Sequence, residues 1–207
     1  MKANKIFGSL WFKCIAVLLV ISCVAGGLLA ILNDVLYVSA EERSARAIKK
    51  IYGKEMAYSI VLDVDSDNDD INEQIKYDNL GSINKIFTIT NGDSEDILFQ
   101  TTGEGGYKGT VTVWTQVNVN GNKYDIVKVV LESFTKETLM SKLSSSFFNN
   151  FCLTDVTADY NAGKDFTPYA DENGFTNVAT GATKSSNAGC NAVNCVLKYL
   201  REGGQNG

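Results

Sequence analysis

The residues best equipped for chemistry lie near the end of the chain, in Thr180-Gly181-Ala182-Thr183-Lys184-Ser185-Ser186. Hydroxyls, a backbone left uncrowded by Gly181 and Ala182, and one ammonium stand together just before a helix-like segment. Read from the residues alone, this is a helix start. Thr183 or Ser185 can cap a helix from Asn187 to Leu200 whose Ala188, Ala192, Cys195, Val196 and Tyr199 face a core. The chain has no histidine, which removes Ser-His-Asp and Cys-His catalysis and every histidine-ligated metal site together. Its five cysteines, Cys14, Cys23, Cys152, Cys190 and Cys195, form no C-x-x-C pair and read as buried structural thiols. The run Asp63-Val64-Asp65-Ser66-Asp67-Asn68-Asp69-Asp70 has the look of a calcium loop, but Asn68 stands where Gly is needed and Gln74 where Glu is needed. A solvated acidic turn is expected there. Hard chemistry therefore falls to carboxylates, thiols, hydroxyls or a bound cofactor.

A second motif, Gly105-Gly106-Tyr107-Lys108-Gly109-Thr110-Val111, enters a hairpin that turns after Val117-Asn118-Val119 at Asn120-Gly121. Alone, a glycine-rich hairpin entry is ordinary turn chemistry. Its order in the chain adds meaning: apolar segment, G-G-Y-x-G hairpin, helix, T-G-A-T, terminal helix. In this the chain resembles the FMN-binding domain family of the Rnf and Nqr electron-transport complexes. Over nearly its whole length it is similar to the G subunit of Rnf-type complexes, the related Nqr C subunit being typically longer.

The resemblance implies FMN joined by a phosphoester to the Oγ of Thr183, attached by a flavin transferase that uses FAD. It implies a cofactor site of Thr180, Gly181, Ala182, Thr183, Lys184, Ser185, Ser186 and Tyr107, with no catalytic residue and no metal. Phosphate oxygens would meet the next helix's N–H groups and the Ser185 and Ser186 hydroxyls, with Lys184 adding a cation. Tyr107 and Trp114 would be candidates for ring contacts, with core packing as the alternative. The implied function is a redox subunit of an ion-translocating, ferredoxin–NAD oxidoreductase complex in a bacterial inner membrane. Its partners would be the other subunits of that complex. This chain departs from the family pattern at Asn177, where the family places Asp, and at Glu137-Thr138-Leu139-Met140, which stands for E-T-P-G-L-G. Pro168 is its only proline. Two other functions stay open: a stand-alone flavinylated protein for extracellular electron transfer, and a non-flavinylated, pilin-like surface protein.

These residues need a scaffold. With 207 residues and a net charge of −5, the chain can form one compact domain beyond a membrane segment, and it lacks the broad basic surface that nucleic acid requires. Ile15 to Leu32 carries no charge and approaches the ~20 residues of a membrane-spanning helix. Lys2, Lys5 and Lys13 before it place the N-terminus in the cytoplasm and the main domain outside. Val38-Ser39-Ala40 offers a signal-peptidase site and Val20-Ile21-Ser22-Cys23 a lipobox, as alternatives to an uncleaved anchor.

Residues 1–38 are thus the cytoplasmic start and transmembrane helix, 39–56 an amphipathic stalk and 57–207 the FMN-binding domain. Ala45, Ile48, Ile51 and Tyr52 form the apolar stripe of a helix from Ala40 to Tyr52. Strands are predicted at Ala57–Val64, Lys85–Thr90, Glu95–Thr101, Lys108–Val119 and Lys123–Leu131, the last two joined by a type I′ turn at Asn120-Gly121. Helices are predicted from Lys136 to Phe151 and from Ser185 to Arg201, with an irregular stretch over Thr157–Asn177. Without a βαβ rhythm, the fold class is α+β, with antiparallel hairpins and flanking helices.

Overall fold

The computed structural model describes residues 10–36, 39–92, 94–136, 139–158 and 161–203. Lys2, Lys5, Val38, Glu137 and Thr138, all used in the sequence reading, lie outside them. The chain divides into two units, Met1–Ser44 and Ala45–Gly207.

The first unit is dominated by α1 (Leu10–Leu36). Its stretch Trp11–Leu32, 22 residues at a mean hydropathy of 2.9, is long and apolar enough to cross a membrane. The helix runs past Leu32 through Asn33 and Asp34 to Leu36.

The second unit is an α+β domain built on one antiparallel sheet. Its strands are β1 (Ala57–Asp63), β2 (Ile75–Tyr77), β3 (Gly81–Asn91), β4 (Ser94–Gly103), β5 (Thr110–Asn120) and β6 (Lys123–Thr135). They run in the order β1-β3-β4-β5-β6, with β2 pairing the start of β3. Successive side chains of a strand point to opposite faces, so each face needs its own cover. On one face Phe99, Val111, Val113 and Val117 are sealed by α4 (Thr183–Arg201). On the other, Phe87, Ile89, Leu98 and Trp114 pack with Ile48 and Ile51 of α2 (Ala40–Tyr52), whose residues from Ala45 belong to this unit.

The α4 helix has a short distance to bridge. Gly103 at the end of β4 lies so close that a Cβ there would stand 2.0 Å from the Ala188 carbonyl and 2.4 Å from the Ala192 nitrogen. Small residues on α4 (Ala188, Ala192) meet the sheet along this line, and both are buried.

Several sequence expectations shift. The helix expected from Lys136 to Phe151 is only a 3-10 turn, Met140–Lys142, and the five-residue α3, Ser145–Asn149. Lys136 adopts a left-handed φ of 56°, and the serine run competes locally, with the Ser144 and Ser146 hydroxyls 2.6 Å apart. The β5–β6 turn pairs Asn120 with Lys123, so its central residues are Gly121 and Asn122. Of these only Gly121 has positive φ, the pattern of a II′ rather than a I′ turn. The stretch expected to be irregular holds two short parallel strands, β7 (Phe166–Thr167) and β8 (Phe175–Thr176). The acidic turn is not all solvated. Asp63 is buried, and the Lys85 ammonium sits 2.7 Å from it and 2.8 Å from Asp65. A lysine thus occupies the carboxylates that a cation would have used.

Candidate functional site

The α4 helix begins at Thr183, and the residue before it, Ala182, leaves the end without a side-chain cap. Neither Thr183 nor Ser185 is therefore the cap expected from the sequence. The approach is instead set by the backbone. Gly181 takes a φ of +74°, Ala182 N–H donates to the Ala179 carbonyl at 2.9 Å, and Ser186 N–H donates to the Ala182 carbonyl at 2.8 Å. A side chain at Gly181 would be strained by that φ, and its Cβ would lie 2.9 Å from the Lys142 ammonium.

The motif divides into an inward and an outward half. Ser185 and Ser186 are buried, and the Ser186 hydroxyl accepts the Ala179 N–H at 3.0 Å, tying the loop to the helix it precedes. The sequence reading turned both hydroxyls toward a phosphate; the helix phase turns them into the domain. Thr183 is half-buried, while Thr180, Gly181 and Lys184 are exposed. Among the described residues the Thr183 hydroxyl has no hydrogen-bond partner. The first-turn N–H groups of a helix point out of its N-terminus, and the 19 residues of α4 give them the positive end of its dipole.

Two neighbouring segments frame this end. On one side lie the 3-10 turn and α3, with an open groove of ≈ 420 Å³ between them and residues 178–180. Lys142, Ser144, Ser146, Phe147, Asn150 and Val178 contribute to its walls. Asn177 locks the two banks together. Its Nδ2 donates to the Phe147 carbonyl at 3.0 Å and its Oδ1 accepts from Asn150 Nδ2 at 3.3 Å. Asn177 is 2% exposed, so an Asp there would bring a buried carboxylate against the Phe147 carbonyl.

On the other side lies the glycine-rich loop between β4 and β5. Asn187 Nδ2 donates to the Gly105 carbonyl at 3.2 Å and Asn191 Nδ2 to the Glu104 carbonyl at 2.8 Å. The glycine-rich motif is therefore held on the first turns of α4, just after the T-G-A-T motif, by a residue 82 positions further along the chain. Tyr107 in this loop is exposed, with the Lys108 ammonium 5.5 Å from its ring centre. Trp114 is elsewhere. It is buried on the α2 face, stacked with Phe87, and its Nε1 donates to Glu132 at 2.8 Å.

The residues fit a phosphate-bearing group tethered at Thr183. The hydroxyl is reachable and unpartnered, helix N–H groups and the ammoniums of Lys142 and Lys184 supply positive charge, and a groove within the size range of small-molecule sites opens beside it. Among the described residues no group of His, Cys, Asp and Glu is arranged to hold a metal. Burial pushes the Cys190 and Cys195 thiols up to about 12, which keeps them protonated and unreactive. A second cleft, ≈ 360 Å³, lies between Gln74, Asn79, Ser82 and Glu104 and contains none of the residues of the implied cofactor site.

No family model, characterised protein or solved structure matches the chain.

Sequence reasoning overlooked Lys142 and the asparagines of α4. Asn187, Asn191 and Asn194 recur at helical spacing on an otherwise apolar helix; the first two hold the glycine-rich loop at Gly105 and Glu104, and Asn194 bonds both the N–H and the carbonyl of Phe166. That stripe was visible in the sequence as polar residues where core was expected. Lys142 carried no such signal, because only folding brings its 3-10 turn over Gly181.

Proposed function

We propose that this protein is a membrane-anchored electron carrier that holds FMN through a phosphoester to Thr183. It would serve as the G-type subunit of an Rnf-like, ion-translocating complex, with its main domain on the extracytoplasmic side. The observation that carries the reading is the meeting of the G-G-Y-x-G loop and the T-G-A-T turn at one helix end, where the Thr183 hydroxyl stands without a partner.

When bound, FMN supplies reversible uptake and release of electrons, which no side chain of this chain can provide. The protein's own work is positional. Gly181, which has no side chain and turns at a left-handed φ, would leave the Thr183 hydroxyl open to a transferase carrying FAD. The helix N–H groups and the two lysines offset the resulting negative charge. Asn177 holds the groove's banks at fixed spacing, an uncharged role that explains an amide at this position. The apolar helix α1 would keep the domain at the membrane, beside the integral subunits it serves.

The test is intact mass and in-gel flavin fluorescence of the full chain coexpressed with a flavin transferase, beside Thr183→Ala. An FMN-sized increase that disappears in the variant is expected. No increase, with the transferase active on another substrate, would reject covalent attachment and leave a membrane-anchored structural protein. Copurification of the flavinylated chain with integral-membrane redox subunits separates the complex from a stand-alone carrier.

A further inference from the structure

We infer that the surface around Thr183 is a docking face for an electron-transfer protein with an acidic surface; this rests on the FMN reading above. The chain has a net charge of −5, yet four lysines, Lys108, Lys136, Lys142 and Lys184, lie on the segments around this end. Lys184 lies on the first turn of α4, and Lys142 lies over Gly181 on one flank. On the other flank a Cβ at Gly109 would stand 3.3 Å from that of Lys136, which places Lys136 beside Lys108 in the glycine-rich loop. That loop is held to α4 through Asn187, three residues after Lys184 and on the same side of the helix.

The acids on these elements are few. Glu104 is exposed beside Gly105, Glu132 is engaged by the Trp114 indole, and Glu137 lies outside the described residues. Large apolar side chains are interspersed with the lysines: Tyr107 is 59% exposed, Phe134 49%, Val178 44% and Leu139 38%. An exposed apolar patch rimmed by charge of one sign is the surface of a transient protein contact. Positive charge on an acidic protein steers an acidic partner to this end and repels it from the rest. Small, weak interfaces of this kind suit electron transfer, where the partner must leave after each exchange.

The experiment uses the full, flavinylated chain in detergent, reduced, with the flavin content checked by intact mass. Two oxidants of opposite charge are mixed with it in stopped flow: ferricyanide and hexaammineruthenium(III). Each takes one electron, two equivalents oxidise one flavin, and the flavin's protons pass to solvent. The rate with ferricyanide should fall about tenfold as salt rises from about 20 to about 300 mM, and the ruthenium rate should rise. Lys108→Glu with Lys136→Glu should erase or reverse both slopes. Equal slopes for the two oxidants, or slopes unchanged in the double variant, would overturn the proposal.

The Thr183→Ala chain separates this from the flavin question. Its affinity for an acidic b-type cytochrome should weaken about tenfold in the lysine double variant even if no flavin is ever attached. Unchanged affinity, or lysine-dependent binding to phosphatidylglycerol vesicles in place of the cytochrome, counts against a protein partner.

Discussion

The two faces of the sheet solve the same problem by opposite means. The face under α4 is apolar and tight: a 19-residue helix lies on it so closely that Gly103 has no room for a side chain. The face under α2 is small and bounded by buried charge. Strand alternation puts Lys85 and Asp96 on the same side as Phe87 and Leu98. Asp96 receives Tyr52, Asn91, Gln116 and Asn118, while Lys85 is held by Asp63 and Asp65. The Lys128 ammonium also reaches the Ile51 carbonyl at 2.7 Å, closing the end of α2. Contact area can fix a long helix, whereas a short amphipathic one needs directional bonds to set its place. The candidate site sits at the end of the helix that packing holds rigid, which is where a cofactor needs fixed geometry.

The largest break in this comparison should come from Gly103→Val. Its side chain would collide with α4 backbone, and a loss of more than about 4 kcal/mol, seen as loss of the cooperative thermal transition and near-ultraviolet dichroism, is expected. A mild effect would mean that α4 can lift from the sheet. On the opposite face, Lys85→Met should cost about 3–5 kcal/mol, because it strands the buried Asp63 carboxylate. Urea unfolding at neutral pH measures it.

Asp96→Asn should cost about 1–3 kcal/mol, since an amide cannot accept from all four donors. If Asp96 anchors α2, Tyr52→Phe adds little in that background but costs about 1 kcal/mol alone. The dependence on alkaline pH probes both faces at once. Burial pushes the Cys190 and Cys195 thiols up to about 12 from an ordinary 9.0, and burial with the Asp96 carboxylate raises the Tyr52 phenol well above 10.0. A group raised on folding stabilises fully below its unfolded value and loses that contribution as pH climbs to the folded one. The urea midpoint should therefore decline from about pH 9 upward, and Tyr52→Phe should remove the part that begins near 10. A midpoint flat to pH 11 would show that these groups are not buried in solution.

Much of the fold was legible in the residues. Alternation in β5 located the strand, and the stripe of Ile48, Ile51 and Tyr52 located α2 within its observed limits. Less legible was the segment from Lys136 to Phe151, where one helix was expected but the serine run and the turn at Lys136 broke it. Within the candidate site, Thr183 and Gly181 stood out by type and order, while Ser185 and Ser186 were given an outward role that the helix phase reverses.

By itself the sequence determined what depends on neighbours along the chain: the apolar segment, the amphipathic helix, the strands, and the glycine that admits a left-handed turn before Thr183. Only the tertiary structure decided what depends on residues far apart. It brought Lys142 over Gly181, pinned the Gly105 loop to Asn187, and assigned Trp114 to the face away from Thr183. Local patterns follow from backbone geometry and side-chain period, which the sequence carries. Which elements meet is settled by packing the whole core, where a glycine at Gly103 and three asparagines on α4 choose the partners.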